Sequence, residues 1–314
     1  MNKKIFLCIL TLLYTLTLHA ETLDGKYLKY YENGNIFFEE NYVNDKREGK
    51  YLQYYENGKL QEEGNYVNDK RDGKYLQYYK NGNIFFEENY VNGQLEGKSL
   101  EYYENGKLKR EGNYVNGQRE GKYLGYYENG NIFFEENYVN GQLEGKSLRY
   151  YENGKLEKKF SYKNWLREGK SLVYYENGNI LFEENYVNDK REGKGLRYYE
   201  NGKLKEESSY KNGLLEGKSF YYNINGKLEV EENYVNGQLE GKSLQYYENG
   251  ELSWEFFYKS GKAIKAMQYY KNGNISAEVE YKDGKAVSGY MYDKNGKKTK
   301  MTNAHFHNMG IIMY

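Results

Sequence analysis

Several side-chain groupings in this chain have residue types suited to chemistry, and each is weakened by its spacing. Adjacent acids recur as Glu39-Glu40, Glu62-Glu63, Glu87-Glu88, Glu135-Glu136 and Glu183-Glu184, and glycoside hydrolysis uses two carboxylates. Neighbours on a strand point to opposite faces, so such a pair cannot flank one bond. Cross-strand lysines such as Lys26, Lys50 and Lys74 are the expected partners of these acids. The segment from Gly93 to Ser99, Gly-Gln-Leu-Glu-Gly-Lys-Ser, approaches a phosphate-binding loop and recurs from Gly141, Gly213 and Gly237. It has three residues between its glycines where that loop needs four, and a strand-like run follows instead of a helix. His305 and His307 would share one side of a strand, but nothing nearby completes a metal site. No Asp-x-Asp-x-Asp-Gly calcium loop occurs. The single cysteine, Cys8, lies in an apolar N-terminal run, so a mature chain lacking that run has no thiol for disulfides, zinc or catalysis. The chain is expected to be no enzyme, with no catalytic residue, metal or cofactor.

The tyrosines are the grouping with functional promise. The chain has 41 of them, and the second of each Tyr-Tyr pair forms a series: Tyr31, Tyr55, Tyr79, Tyr103, Tyr127, Tyr151, Tyr175 and Tyr199, with Asn223 replacing the next member. Each ring offers flat apolar area with a polar tip, which suits a protein partner or a sugar. The same rings could instead stack on one another and hold a sheet together. This ladder is the candidate ligand-binding surface.

What positions it is a repeat. Glycine recurs every 24 residues from Gly25 to Gly241 without insertion, the mark of a repeat array whose units stack on their neighbours. Each unit holds two runs in which apolar and polar residues alternate, separated by Asn-Gly turns. With 35 glycines, no proline and a hydrophobic fraction of 38%, the expected fold is all-β: an elongated, twisted antiparallel sheet of tandem 24-residue β-hairpins with a thin core. A three-residue loop with Gly34 left-handed sets Tyr31 against Asn35, Tyr30 against Ile36 and Leu28 against Phe38. Leu28, Tyr30, Ile36 and Phe38 then share a face. Asn-Ile-Phe-Phe at Asn35, Asn83 and Asn131 alternates with Lys-Leu at Lys59, Lys107 and Lys155, giving a 48-residue superperiod.

Residues 1–20 read as a secretory signal, with Lys3 and Lys4 before an apolar run too short to span a bilayer and a small-residue site ending at Ala20. Residues 21–298 are the array of about ten and a half repeats, and 299–314 a C-terminal cap or tail. The expected location is outside the cytoplasm, in the periplasm, on the cell surface or beyond it, with no transmembrane segment after signal cleavage. Equal numbers of basic and acidic residues, 46 each, supply no field for nucleic acid.

The units resemble the MORN repeat variant of the bacterial YwqK-family antitoxins. The likeness lies in Tyr-Tyr-Glu-Asn-Gly-Lys-Leu at Tyr102 to Leu108, followed by Glu-Gly-Asn-Tyr-Val-Asn-Gly at Glu111 to Gly117, and covers about residues 25–298. The resemblance implies twisted antiparallel sheet and a role in protein or lipid contact. An exported repeat scaffold that binds protein, of the envelope or of a host, is the leading expectation. An antitoxin-like protein is an alternative, although antitoxins act in the cytoplasm. A cell-wall carbohydrate-binding protein is another, because Tyr-Tyr-x-Asn-Gly is similar to choline- and glucan-binding repeats. Those are tryptophan-rich, whereas only Trp165 and Trp254 occur here.

Overall fold

Aromatic and branched residues that alternate with polar ones favour extended backbone, and each unit uses them for two strands. The computed structural model describes residues 22–309. In the first unit β1 (Gly25–Tyr30) turns into β2 (Ile36–Val43), then β3 (Lys46–Arg47) and β4 (Gly49–Tyr54), where the next unit begins. The plan repeats along a single antiparallel sheet of 32 strand segments. Every substantial contact joins segments one or two apart in the chain, so each hairpin leans only on its neighbours. The expected all-β array of tandem hairpins is therefore the observed architecture. The expected export signal, residues 1–20, lies outside the described residues, as do the last residues from 310 onward.

Two turn types bound each hairpin. In the first, the Tyr31 amide donates to the Asn35 carbonyl at 2.8 Å and Gly34 takes φ +88°, as the loop chemistry predicts. The second is a two-residue turn with both central residues left-handed, Asn44 at φ 51° and Asp45 at φ 64°. That geometry matches strand twist and explains why Asn-Gly or Asn-Asp stands there. The 24-residue glycine has its own cause. Between β3 and β4 the chain steps out of the ladder at Glu48, whose amide returns to the Asn41 carbonyl at 2.8 Å. Gly49 makes that step at φ +86°, a conformation that costs an L side chain dearly.

The expected register is half right. Tyr30 pairs with Ile36, but Leu28 pairs with Glu39 and Lys29 with Phe38. A β-bulge intervenes, leaving Phe37 without a partner, and the same shift recurs in hairpin after hairpin. Leu28 and Phe38 are therefore not cross-strand neighbours. One face, here the leucine face, carries Lys26, Leu28, Tyr30, Ile36, Glu39 and Val43. The other, the tyrosine face, carries Tyr27, Phe38, Glu40, Tyr42 and Arg47, and the buried side chains of the array gather on it: Tyr66, Tyr75, Tyr138, Ser171, Tyr186 and Ser219. Large and small residues interlock there. A Cβ on Gly112 would stand 2.3 Å from the Tyr123 ring, so the ring occupies the space that the glycine leaves.

The 48-residue superperiod also has a packing role on this face. Tyr42, Tyr90, Tyr138, Tyr186 and Tyr234 donate to Glu40, Glu88, Glu136, Glu184 and Glu232 at 2.6–2.9 Å, once every second hairpin. Arginines of the short strands lie flat between, with Arg47 4.1 Å from the Tyr66 ring centre and Arg119 4.0 Å from that of Tyr123. At the C-terminal end a strand over Lys298–Lys300 and helix α1 (Asn303–Asn308) lay Met301 and Phe306 on Ala266, Ala277, Val279 and Ala286. Among the described residues no helix is long and apolar enough to cross a membrane.

Candidate functional site

The turn after each first strand points the second tyrosine toward the tyrosine face, away from Leu28 and Tyr30. There Tyr31 meets the bulged Phe37, ring centres 4.9 Å apart, and Tyr79 and Tyr127 meet Phe85 and Phe133 in the same way. The hydroxyls are all engaged. Tyr31, Tyr55, Tyr79, Tyr103, Tyr127, Tyr151, Tyr175 and Tyr199 donate to the backbone carbonyls of Tyr54, Tyr78, Tyr102, Tyr126, Tyr150, Tyr174, Tyr198 and Tyr222 at 2.6–2.9 Å. The acceptor has a reason to need this bond. β4 pairs with β2 only through Leu52 and Gln53, so the Tyr54 carbonyl lies beyond that ladder and a side chain supplies its donor. The candidate ladder is thus a row of clasps, each fastening one hairpin to the next. What remains for a ligand is ring surface, as in an open hollow of about 530 Å³ edged by Tyr31, Tyr55, Glu56, Asn57 and Lys80.

The paired acids divide between the two faces as strand geometry requires. Glu39 takes Lys26 at 2.6 Å and the Tyr54 hydroxyl at 3.1 Å on the leucine face, while Glu40 accepts from Tyr42 on the other. The Lys26 hydrogen bond is the main reason that the Glu39 carboxyl lies below its ordinary pKa. Its counterparts Lys74 and Lys98 are raised by Glu87 and Glu111.

The remaining sequence candidates resolve into structure. Gly93 sits in the second turn at φ +83° and a strand, Gly97–Tyr102, follows. His305 and His307 do not share a strand side, because they lie on helix α1, where residues two apart diverge. The His305 ring nitrogen Nδ1 accepts from the Thr302 amide at 3.0 Å. Among the described residues no group of three or more His, Cys, Asp or Glu is placed to hold a metal.

Two surface features were missed in the sequence. Val43, Val67, Val91, Val115 and Val139, at the rim of the leucine face, are 36–50% exposed and follow one another in five successive hairpins; beyond them Lys163 and Lys211 alternate with the exposed Val187 and Val235. Their 24-residue spacing was readable, but burial was not. The second is the hairpin of residues 145–168. Its tyrosine face holds a cavity of about 240 Å³ lined by Phe133, Phe134, Ser147, Arg149 and Phe160, among others. The cavity lies where Ser147 takes the place that Tyr123 fills one unit earlier.

Comparison with known proteins agrees with the repeat. The pattern described as MORN repeat variant matches residues 23–44, 47–68, 71–92, 95–116, 119–140, 143–164, 167–188, 191–212, 215–236 and 264–283. A search of curated proteins returned no match. Among solved structures, a crystal structure of TcdB2-TccC3-Cdc42 is similar at 11% identity over 88% of this chain and 20% of that one, with a TM-score of 0.17. A Photorhabdus luminescens Tc holotoxin pore is similar at 12% identity over 85% and 17%, with a TM-score of 0.18. This chain spans about a fifth of the length of those chains. Ten matched segments cover most of the sequence at the spacing of the hairpins, and the chain belongs to the MORN repeat variant family.

Proposed function

We propose that this chain is an exported scaffold that binds another protein, of the envelope or of a contacted cell, along the leucine face of its sheet. The observation that carries the reading is the exposed row from Val43 to Val139. A two-residue turn does not require valine at its flank, and five apolar groups held outward at one spacing form a repeated contact. With two strands per hairpin at ~4.8 Å each, the rungs stand ~10 Å apart. Contacts that are weak singly become strong when several are engaged together. The clasped tyrosines support the reading by keeping the rungs in line.

The test replaces the valines by aspartate in the full-length chain, one at a time and then all five, and captures partners from surface extracts. Single changes are expected to weaken capture a few-fold and the fivefold change by about a hundredfold or more. Unaltered capture by the fivefold variant would overturn the proposal. Cell fractionation accompanies it, because the antitoxin alternative requires a cytoplasmic protein. The hollow between Tyr31 and Tyr55 favours carbohydrate as a second reading, which a glycan array without hits would remove. No reaction is assigned to the chain.

A further inference from the structure

The leucine face contains one break in an otherwise unbroken charge ladder. In ten hairpins a lysine of the first strand pairs with a glutamate thirteen residues on: Lys26–Glu39, Lys50–Glu63, Lys74–Glu87, Lys98–Glu111, Lys122–Glu135, Lys170–Glu183, Lys194–Glu207, Lys218–Glu231, Lys242–Glu255 and Lys265–Glu278, at 2.5–3.9 Å. In the hairpin of residues 145–168 the same register, Leu148 opposite residue 159, presents Lys159 beside Lys146. Lys159 is half-buried, and no ion pair to either ammonium occurs among the described residues. A cation held partly out of water beside a second cation is an electrostatic cost that the other ten hairpins avoid. The hairpin is also basic as a whole. Residues 145–168 contain seven lysines and arginines against three acids, whereas residues 121–144 hold one against four and residues 169–192 three against five.

We propose that Lys146 and Lys159 form a docking site for a carboxylate of an acidic peptide segment in the protein partner, which supplies from outside the anion that those ten hairpins supply themselves. The geometry of the other hairpins defines the fit. There the lysine reaches a carboxylate of its own hairpin, and the first tyrosine of the next unit, such as Tyr54 for Glu39, adds a hydroxyl donor. Tyr174 holds the place of Tyr54 in this unit, fifteen residues after Lys159, whose strand partner is Leu172. The flanking acidic hairpins confine attraction to this one rung and repel an acidic segment elsewhere along the face. The site rests on the protein-binding reading above and names the chemistry of its partner.

The experiment measures binding of a fluorescent oligoglutamate peptide to the full chain, with inorganic phosphate as a separate probe. Lys159→Glu rebuilds the ladder, so it should weaken peptide binding at least about tenfold and raise the melting temperature. Lys159→Gln should weaken binding with a smaller rise, because it removes the repulsion but supplies no ion pair. Lys211→Glu makes the same charge change at an exposed position of another hairpin and should leave binding within about twofold. Absence of peptide binding, an equal loss in Lys159→Glu and Lys211→Glu, or binding of phosphate but not peptide overturns the proposal. If the peptide result fails while the five-valine variant still loses its captured partner, the carboxylate site alone is wrong. If the peptide binds as expected and the valine row proves silent, the scaffold reading must move to this rung.

Discussion

The ionisable side chains of the array set its tolerance of pH at both ends. Tyr42 is pushed up to about 12, chiefly by its hydrogen bond to Glu40. Tyr126, Tyr138 and Tyr269 reach about 12 mainly through burial, with bonds to Glu111, Glu136 and Glu255 adding to it. Above pH ~10 an unfolded chain sheds the protons of these four tyrosines while the folded one keeps them, so their contribution to stability falls as pH rises from about 10 toward 12. The carboxyls act in the opposite sense. Glu39 and Glu278 are lowered first by Lys26 and Lys265, and Glu111 first by Tyr126. Their contribution is complete above the ordinary carboxyl range near 4 and is lost as pH falls through their lowered values. A pH series of thermal melts should be level between about 5 and 10 and decline on both sides. A melting temperature that stays level from pH ~10 to ~12 would contradict this account.

At the scale of the element, the second tyrosine determines whether a hairpin stays joined to the next. Tyr127→Phe keeps the contact with Phe133 but leaves the Tyr150 carbonyl without its side-chain donor. The expected cost is about 0.5–1.5 kcal/mol. Because contacts run only between neighbours, amide exchange should quicken around the junction at Tyr150 and not along the whole sheet. A uniform change, or none, would count against the clasp. The chain contains its own control at Asn223, where no phenolic hydroxyl can reach the next unit and Lys227 still reaches the Glu248 carbonyl at 2.7 Å. Much of the hairpin was legible in the sequence: the 24-residue glycine, the Asn-Gly turns, the loop from Tyr31 to Asn35 and the Tyr30–Ile36 pair follow from turn chemistry. The bulge did not. Ile36-Phe37-Phe38 is apolar throughout, so alternation cannot say which ring leaves the ladder, and the error carried Leu28 one residue away from its true partner, Glu39. The burial of the tyrosine face was not legible either, since it comes from rings and arginine stems lying across the sheet.

Across the whole molecule, the same period that makes the sheet also makes the surface. Alternation of Asn35 with Lys59 illustrates how two residue types serve one end: the Asn35 amide reaches the Glu56 carbonyl at 2.8 Å and the Lys59 ammonium the Asn81 carbonyl at 3.3 Å, each tying its turn to the next. Of the candidate site, the tyrosine series was legible as a series, but its engagement in the backbone was not, because a hydroxyl's acceptor in the next unit depends on the bulge. The valine row was equally legible in spacing and silent in exposure. A scaffold of this kind should be touched by its partner at many rungs at once. The most direct measurement places a photo-crosslinking side chain at positions 43, 67, 91, 115 and 139 in turn, in the producing cells and among the cells they contact. The account predicts one and the same protein trapped from all five positions. Adducts from a single position, or from none, would contradict it.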